Sequence, residues 1–379
     1  MLRNRLFCRV VVAGWLFAGS YPSVALAGSV KANVSGPKPA AKGTISSAKS
    51  FVPTPRHGRR AAPVVDPTKD DVAEFDDPIV RLAATEALGH RDGAVVAVDP
   101  NTGRILAAVN QRLVFSSGFI PCSTIKPVIA VAALQEGLIN RDTMLKIARR
   151  RYMNLTEALA HSNNKFFESL GRQMGFDTVA RYARQMGLGE LTGRNIFEEH
   201  PGVLPERPPE RGGVARMSSF GEGIEITPLQ LAVLGSALAN GGTIYYLQYL
   251  RSEQERREFA PVVKRKLEIE AYLPDLREGM LAAVLYGTAR HSFDRDGQQV
   301  LGKTGSCSQQ GTRLGWFVSY ADQRNPRLVL VVLLRGYRHK VNGPSASEIA
   351  GHIYHRLHEQ NFFSEAGGPR PVETLVSAH

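Results

Sequence analysis

The sequence predicts an α+β fold: an antiparallel sheet of about five strands flanked by helices, with an all-helical lobe. Three observations predict it. Gly93–Asn110 (GAVVAVDPNTGRILAAVN) is two apolar runs around a Gly-containing turn at Asp99–Gly103, the pattern of a hairpin. The last third carries three strand-like runs, Val300–Cys307, Gly315–Tyr320 and Leu328–Leu334, separated by the turn-rich Gly311–Arg313 and Asp322–Pro326. The stretch between is helical in period. A hairpin at one end and three strands at the other are joined most simply in a single sheet.

Taken in order, the chain begins with Arg3, Arg5 and Arg9, the apolar run Val10–Ala18, and Ala25-Leu26-Ala27 before Gly28. A positive start, a short apolar core and an A-x-A end describe a secretory signal, with cleavage expected after Ala27. The alternative is an uncleaved membrane anchor through residues 10–27. Either reading exports the rest of the chain to the periplasm or the outer face of the cytoplasmic membrane. Residues 28–75 are rich in Pro, Ala, Ser, Gly and Lys without apolar periodicity, so they cannot bury enough surface to offset their ordering entropy and read as a disordered linker. A globular domain is expected over residues 76–362, and a flexible tail over 363–379.

Within that domain, Ile125, Ile129, Ala132 and Ala133 recur at helical spacing over Ser123–Gly137, and Gly137 ends the run. Leu155–Met174 and Thr178–Met186 read as further helices. Thr227-Pro228 supplies an N-cap and first turn for a helix to Ala239. Leu276–Gly287 and Ser345–Glu359 are the last two helices. There is no internal repeat.

The chain of 379 residues is 43% hydrophobic and 22% charged, the balance of a globular protein with ample chain for a core. Its net charge of +12 favours anionic partners, whether nucleic acid, lipid headgroups or acidic wall polymers. No nucleic-acid-binding motif accompanies the charge. Cys8 lies in the signal, leaving Cys122 and Cys307, an even number for an oxidising compartment.

Three short elements carry chemistry together. In Ser123-Thr124-Ile125-Lys126, residues i and i+3 share a helix face, so the Lys126 amine reaches the Ser123 hydroxyl. A serine is a weak nucleophile that needs a base, and a lysine is a base only when burial or a second cation lowers its pKa. The helix N-terminus at Ser123 also favours developing negative charge. Ser162-Asn163-Asn164, at a helix junction, offers a second hydroxyl as proton shuttle and, in Asn164, a ligand for a substrate amide. Lys303-Thr304-Gly305-Ser306 lies on a strand. Lys303 and Thr304 suit a carboxylate, Gly305 lets a substrate backbone lie against the strand, and the Ser306 N–H pairs with the Ser123 N–H as an oxyanion hole. Each element alone is common by chance. Their order, S-x-x-K, S-x-N, K-T-G, on a helix start, a helix junction and a strand, is not.

With these motifs the chain resembles the transpeptidase domain of penicillin-binding proteins. The similarity runs from about Gly93 to Leu357 and includes DPNTGRILAAV, STIKPVIAVAALQEGLI, NLTEALAHSNNKFFESLGRQMG, SSFGEGIEITPLQLAVLGSALANGGTI, LREGMLAAVLYGTA and GKTGSCSQQGTRLGWFVSYA. The resemblance implies Ser123 as acylated nucleophile, Lys126 as its base, Ser162 as proton shuttle, Asn164 as amide ligand, and Lys303 and Thr304 as the carboxylate pair. It implies peptidoglycan stem peptides as substrates, β-lactams as covalent inhibitors, cell-wall synthesis proteins as partners, and neither cofactor nor metal. Three departures are visible. No glycosyltransferase domain or large N-terminal pedestal precedes the domain. The chain between Lys126 and Ser162 is short, which is expected to open one side of the cleft. Ser306 replaces the commoner threonine. Certain carbapenem-hydrolysing class A β-lactamases carry a disulfide at positions similar to Cys122 and Cys307, which implies a bridge between the two walls of the cleft.

The same scaffold supports other activities: a D,D-carboxypeptidase, an endopeptidase, a serine β-lactamase or a non-catalytic sensing module. Glu198, Glu199, Glu206 and Glu210 lie where a class A enzyme places its deacylating glutamate, but outside that class's loop pattern, and read as solvated surface. Asn164 argues against a class D enzyme. Trp316 reads as a core-facing strand aromatic, and His352, His355 and His358 as one solvated helix face without supporting metal ligands.

Overall fold

The structure is a computed structural model that describes residues 66–295, 297–321 and 325–364. The signal or anchor expected over 1–27, the linker up to residue 65 and the tail from residue 365 lie outside the described residues. The elements in chain order are α1 (Pro78–Leu88), β1 (Gly93–Val98), β2 (Ile105–Val109), α2 (Gln111–Phe115), a 3₁₀ turn (Cys122–Ile125), α3 (Lys126–Gln135), β3 (Leu145–Ala148), β4 (Arg151–Met153), α4 (Leu155–Ala160), α5 (Asn164–Gln185), α6 (Gly213–Phe220), α7 (Pro228–Ala239), β5 (Thr243–Tyr245), α8 (Glu253–Glu258), β6 (Val263–Lys266), α9 (Leu273–Leu285), β7 (Val300–Gln309), β8 (Thr312–Ala321), β9 (Leu328–Gly336) and α10 (Gly343–Glu359). The main sheet has five strands in the order β2-β1-β9-β8-β7. Every neighbouring pair is antiparallel.

The sheet is covered on both faces, which is why β9 reads LVLVVLL without polar alternation. Side chains alternate between two cores. Val96, Val98, Val331, Leu333, Trp316 and Val318 face the larger one, shared with α3, α5 and α7. Val95, Ala97, Leu330, Val332 and Phe317 face the other, closed by α1 and α10. Helix α7 is buried along its whole length. Its start is a capping box in which Thr227 Oγ1 accepts from Gln230 N and the Gln230 side chain accepts from Thr227 N. A Cβ at Gly235 would lie 2.9 Å from Val318 and Val329, so only glycine lets this helix sit so close to the sheet.

Four differences from the sequence expectation have physical causes. The nucleophile segment opens as a 3₁₀ turn rather than an α-helix. The helix expected over Leu155–Met174 is broken after Ala160, where Ser162 takes φ 53°. The separation expected between Met174 and Thr178 is present: Gly175, with φ 77° and ψ 169°, leaves helical geometry and divides the span Asn164–Gln185 into two helices. Two short ribbons, β3–β4 and β5–β6, carry too few residues to display a period. Residues 66–75, composed like a linker, are tied to the domain. Asp71 accepts hydrogen bonds from Asn110 N (2.9 Å), Gln111 N (2.8 Å) and Arg81 (2.8 Å), and so holds the start of α2.

Candidate active site

Three elements meet around two buried lysine amines. In the 3₁₀ turn, residues i and i+3 eclipse one another, which sets Ser123 directly over Lys126. The Lys126 Nζ lies 3.0 Å from Ser123 Oγ. Pro127 follows at the first turn of α3, where its fixed φ suits a helix and its missing N–H costs nothing. The second element is the turn between α4 and α5. Asn163 caps α5 by accepting from Phe166 N, and the left-handed Ser162 points both its carbonyl and its hydroxyl at Lys126. The distances from Lys126 Nζ are 2.6 Å to Ser162 O, 3.1 Å to Ser162 Oγ and 2.7 Å to Asn164 Oδ1. The third element is β7, the edge strand. Lys303 Nζ donates to Ser162 Oγ at 2.8 Å and to Thr304 O at 2.9 Å.

The electrostatics follow from this crowding. Lys126 and Lys303 have no solvent exposure. Burial holds the Lys126 amine well below its ordinary value, and the neighbouring Lys303 charge lowers it further. Burial brings Lys303 down to about 7. A neutral amine has two N–H donors and one lone pair. The Ser162 carbonyl and the Asn164 Oδ1 can only accept, so they take both donors of a neutral Lys126. The lone pair is left to a hydroxyl, and Ser123 Oγ–H is in range to donate to it. The arrangement therefore accommodates proton transfer from Ser123 to Lys126.

The rest of the K-T-G segment is built against the other two elements. Thr304 Oγ1 shares a 2.6 Å hydrogen bond with Thr288 Oγ1. A Cβ at Gly305 would come within 3.0 Å of Pro121 O and 3.1 Å of Thr124 Cγ2, so the strand and the nucleophile turn are in close apposition there. Ser306 Oγ accepts from Gly343 N at 2.7 Å and so ties the strand to the start of α10. Cys122 and Cys307 are bridged, with Cα atoms 5.6 Å apart. The bridge fastens the residue before Ser123 to the strand that carries Lys303. Cys122 itself has φ 53°, a costly conformation for a residue with a side chain.

Thr288 has no signal in the motifs, although it lies in the quoted LREGMLAAVLYGTA segment. Its N–H donates to Ala160 O at 3.0 Å, so this one residue joins the end of α4 to the K-T-G strand. The preceding Gly287 is packed on the same carbonyl, and a Cβ there would lie 2.2 Å from Ala160 O. Gly287→Ala is expected to destabilise the fold by about 1–3 kcal/mol through this overpacking. It should also slow acylation by displacing Ser162, as measured by thermal unfolding beside a β-lactam adduct assay.

Other residues singled out from the sequence fall elsewhere. Glu199 is not solvated surface: it is buried, and its carboxylate accepts from Thr192 N, Thr192 Oγ1 and Gly193 N. Those bonds close a loop and leave the carboxylate no role in activating water. Glu198 pairs with Arg251, and Glu206 and Glu210 are exposed. Trp316 is buried in the core, with Nε1 donating to Ile120 O at 3.1 Å. His352, His355 and His358 are exposed on α10, and His355 Nδ1 lies 2.7 Å from Asp294 Oδ2.

The sequence model described as penicillin binding protein transpeptidase domain matches residues 93–355, more than half of the chain. The chain belongs to the penicillin-binding protein transpeptidase family. Among curated relatives, stage V sporulation protein D of Bacillus subtilis is 27% identical over 326 residues, 72% of this chain and 50% of that protein. Peptidoglycan D,D-transpeptidase MrdA of Acinetobacter baumannii is 27% identical over 371 residues, 76% of this chain and 54% of that protein. The chain thus spans about half the length of the curated relatives it matches. Among solved structures, the transpeptidase domain of Burkholderia pseudomallei penicillin-binding protein 3 superposes with a TM-score of 0.65 at 18% identity, over 78% of this chain and 95% of that one. Pseudomonas aeruginosa PBP2, in complex with WCK 5153, gives 0.64 at 22% identity, over 77% and 78%. At these identities the structural likeness speaks for the transpeptidase fold: a five-stranded antiparallel sheet flanked by helices.

Proposed function

We propose that this chain is a peptidoglycan D,D-transpeptidase that forms an acyl-enzyme on Ser123. The observation that carries the reading is the buried, charge-depleted Lys126 amine 3.0 Å from Ser123 Oγ, with both its donors committed to acceptors that cannot give a proton back. Family membership and relatives named peptidoglycan D,D-transpeptidase support it.

In this mechanism Lys126 takes the Ser123 proton as Oγ attacks the penultimate D-Ala carbonyl of a stem peptide. The Oγ–C bond forms, and the Ser123 and Ser306 N–H groups receive the oxyanion. Collapse breaks the C–N bond. The proton passes from Lys126 through Ser162 Oγ, which touches both lysines, to the departing D-Ala amine. An amine of a second stem peptide then attacks the ester carbonyl; Lys126 takes its proton and returns it to Ser123 Oγ as the Oγ–C bond breaks, which restores the hydroxyl and the neutral amine. Protonated Lys303 and Thr304, the latter oriented by Thr288, receive the terminal carboxylate, while Asn164 positions the substrate amide. A β-lactam enters as a mimic of the dipeptide and leaves Ser123 acylated. Residues 1–27 act as signal or anchor and 28–65 as tether, so the domain works outside the cytoplasm. Among the described residues no helix is long and apolar enough to cross a membrane.

The test is the intact mass of the exported protein after addition of a penicillin, followed over hours beside Ser123→Ala. A stable adduct on the native protein alone is expected. An adduct that forms and vanishes while the drug is consumed would mean a hydrolase, and no adduct on either protein would sink the catalytic reading.

A further inference from the structure

The ribbon β3–β4 has two unlike faces. Leu145, Ile147 and the buried Met153 pack on the core. Strand alternation puts Met144, Lys146 and Ala148 on the opposite face, and Tyr152, the cross-strand partner of Lys146, stands there too. Met144 is 55% and Tyr152 57% exposed. The tip is Arg149-Arg150-Arg151, all exposed. Over Gly137–Met153 there are five basic residues and one acidic. Arg141 pairs with Glu278. Lys146 and the three arginines have no ion pair or side-chain hydrogen bond among the described residues, whereas most other arginines of the domain are held by carboxylates or carbonyls.

Neither fold nor turn geometry asks for this composition. Arg150 has φ 61°, where glycine or asparagine is the cheaper residue. Three adjacent guanidinium groups repel one another, and an exposed methionine and tyrosine add nothing to the core. An anionic surface removes the repulsion, and guanidinium groups match phosphate in a bidentate manner. The aromatic and apolar side chains beside the cations decide between anionic surfaces. A soluble polyanion has no place for Met144 and Tyr152, whereas a headgroup layer takes the cations at its phosphates and the apolar groups at the acyl boundary.

We propose that the β3–β4 ribbon docks onto the anionic phospholipid headgroups of a membrane surface, with Arg149, Arg150 and Arg151 at the phosphates and Met144 and Tyr152 seated just below. This contact is independent of the acylation chemistry. It requires no membrane-spanning segment.

The experiment uses the full chain with vesicles of equimolar phosphatidylglycerol and phosphatidylcholine, beside phosphatidylcholine alone. Co-sedimentation measures binding, and hydrogen exchange reports protection of residues 144–152, a local readout that any N-terminal insertion leaves untouched. Protection is expected with the anionic vesicles only. The triple variant Arg149→Glu/Arg150→Glu/Arg151→Glu should lose that protection and bind at least about tenfold more weakly, since each cation near such a surface contributes to the attraction. Met144→Ser/Tyr152→Ser should weaken vesicle binding while leaving the arginines in place. Both variants should form the penicillin adduct at the native rate, which shows that they are folded. Equal protection with neutral vesicles, or no loss in the triple variant, overturns the proposal. Protection by soluble polyphosphate that matches the vesicles, with no effect of Met144→Ser/Tyr152→Ser, would make the ribbon a phosphate-polymer site instead.

Discussion

Lys126→Met is expected to slow acylation by a β-lactam by about 10²–10⁴-fold, the range of a removed general base. The substitution keeps an unbranched apolar stem of similar volume while deleting the amine, which lies 5.4 Å from the Phe167 ring centre. Rapid-quench mass measurement of the adduct gives the rate. Native acylation should itself fall as the pH is lowered, because protonation of Lys126 fills the lone pair that Ser123 needs. The same amine shapes stability. Its folded pKa lies well below the ordinary 10.5, so in the interval between the two values the unfolded chain binds the proton and the folded chain does not. Stability therefore rises with pH across that interval. Lys303 adds to the slope from about 7 upward. Thermal midpoints of the native protein should climb from neutral to alkaline pH, and Lys126→Met should flatten the climb. A native acylation rate in Lys126→Met would remove Lys126 from its assigned role.

Opening the bridge is expected to have the second large effect. Cys122 and Cys307 are 185 residues apart in sequence. Loop-closure entropy for a ring of that size gives roughly 5 kcal/mol as an upper value, and removal of a native bridge typically costs about 2–5 kcal/mol. Cys122→Ser/Cys307→Ser should therefore unfold at a markedly lower temperature than the native protein. At temperatures where it stays folded it should also acylate more slowly. The bridge fixes the residue before Ser123 against the strand that carries Lys303, so its removal is expected to loosen the approach of the two. If the folded double variant acylates at the native rate, the bridge serves stability alone.

The sheet and the segments that meet at the candidate site were legible because their signals are local or periodic. β9 is an unbroken apolar run, α7 starts with Thr227-Pro228, and the S-x-x-K, S-x-N and K-T-G segments each sit on a recognisable element start or strand. What was not legible depends on tertiary contact. Nothing in HSNN announces that Ser162 turns left-handed, yet that angle delivers both its oxygens to Lys126. Thr288 acts only because the end of α9 meets α4 and β7. Glu199 looks like any surface glutamate until the loop around Thr192 and Gly193 closes on it. Residues 66–75 have the composition of a linker and are ordered by Asp71, whose partners lie about forty positions away. Strands of three or four residues are too short for alternation to stand out, so the β3–β4 ribbon and the arginines at its tip drew no reading from the sequence.

Burial alone brings Lys303 down to about 7, whereas a carboxylate placed beside it would stabilise its charged form. If Lys303 receives the substrate carboxylate as proposed, then at mildly alkaline pH the lysine gains a proton as the ligand arrives, and ligand capture and proton uptake become one event. The heat of binding then includes the ionisation heat of whichever buffer gives up that proton. On that reading small anions such as phosphate or sulfate satisfy the same charge and are expected to compete with the substrate, so that the choice of buffer shifts the apparent affinity.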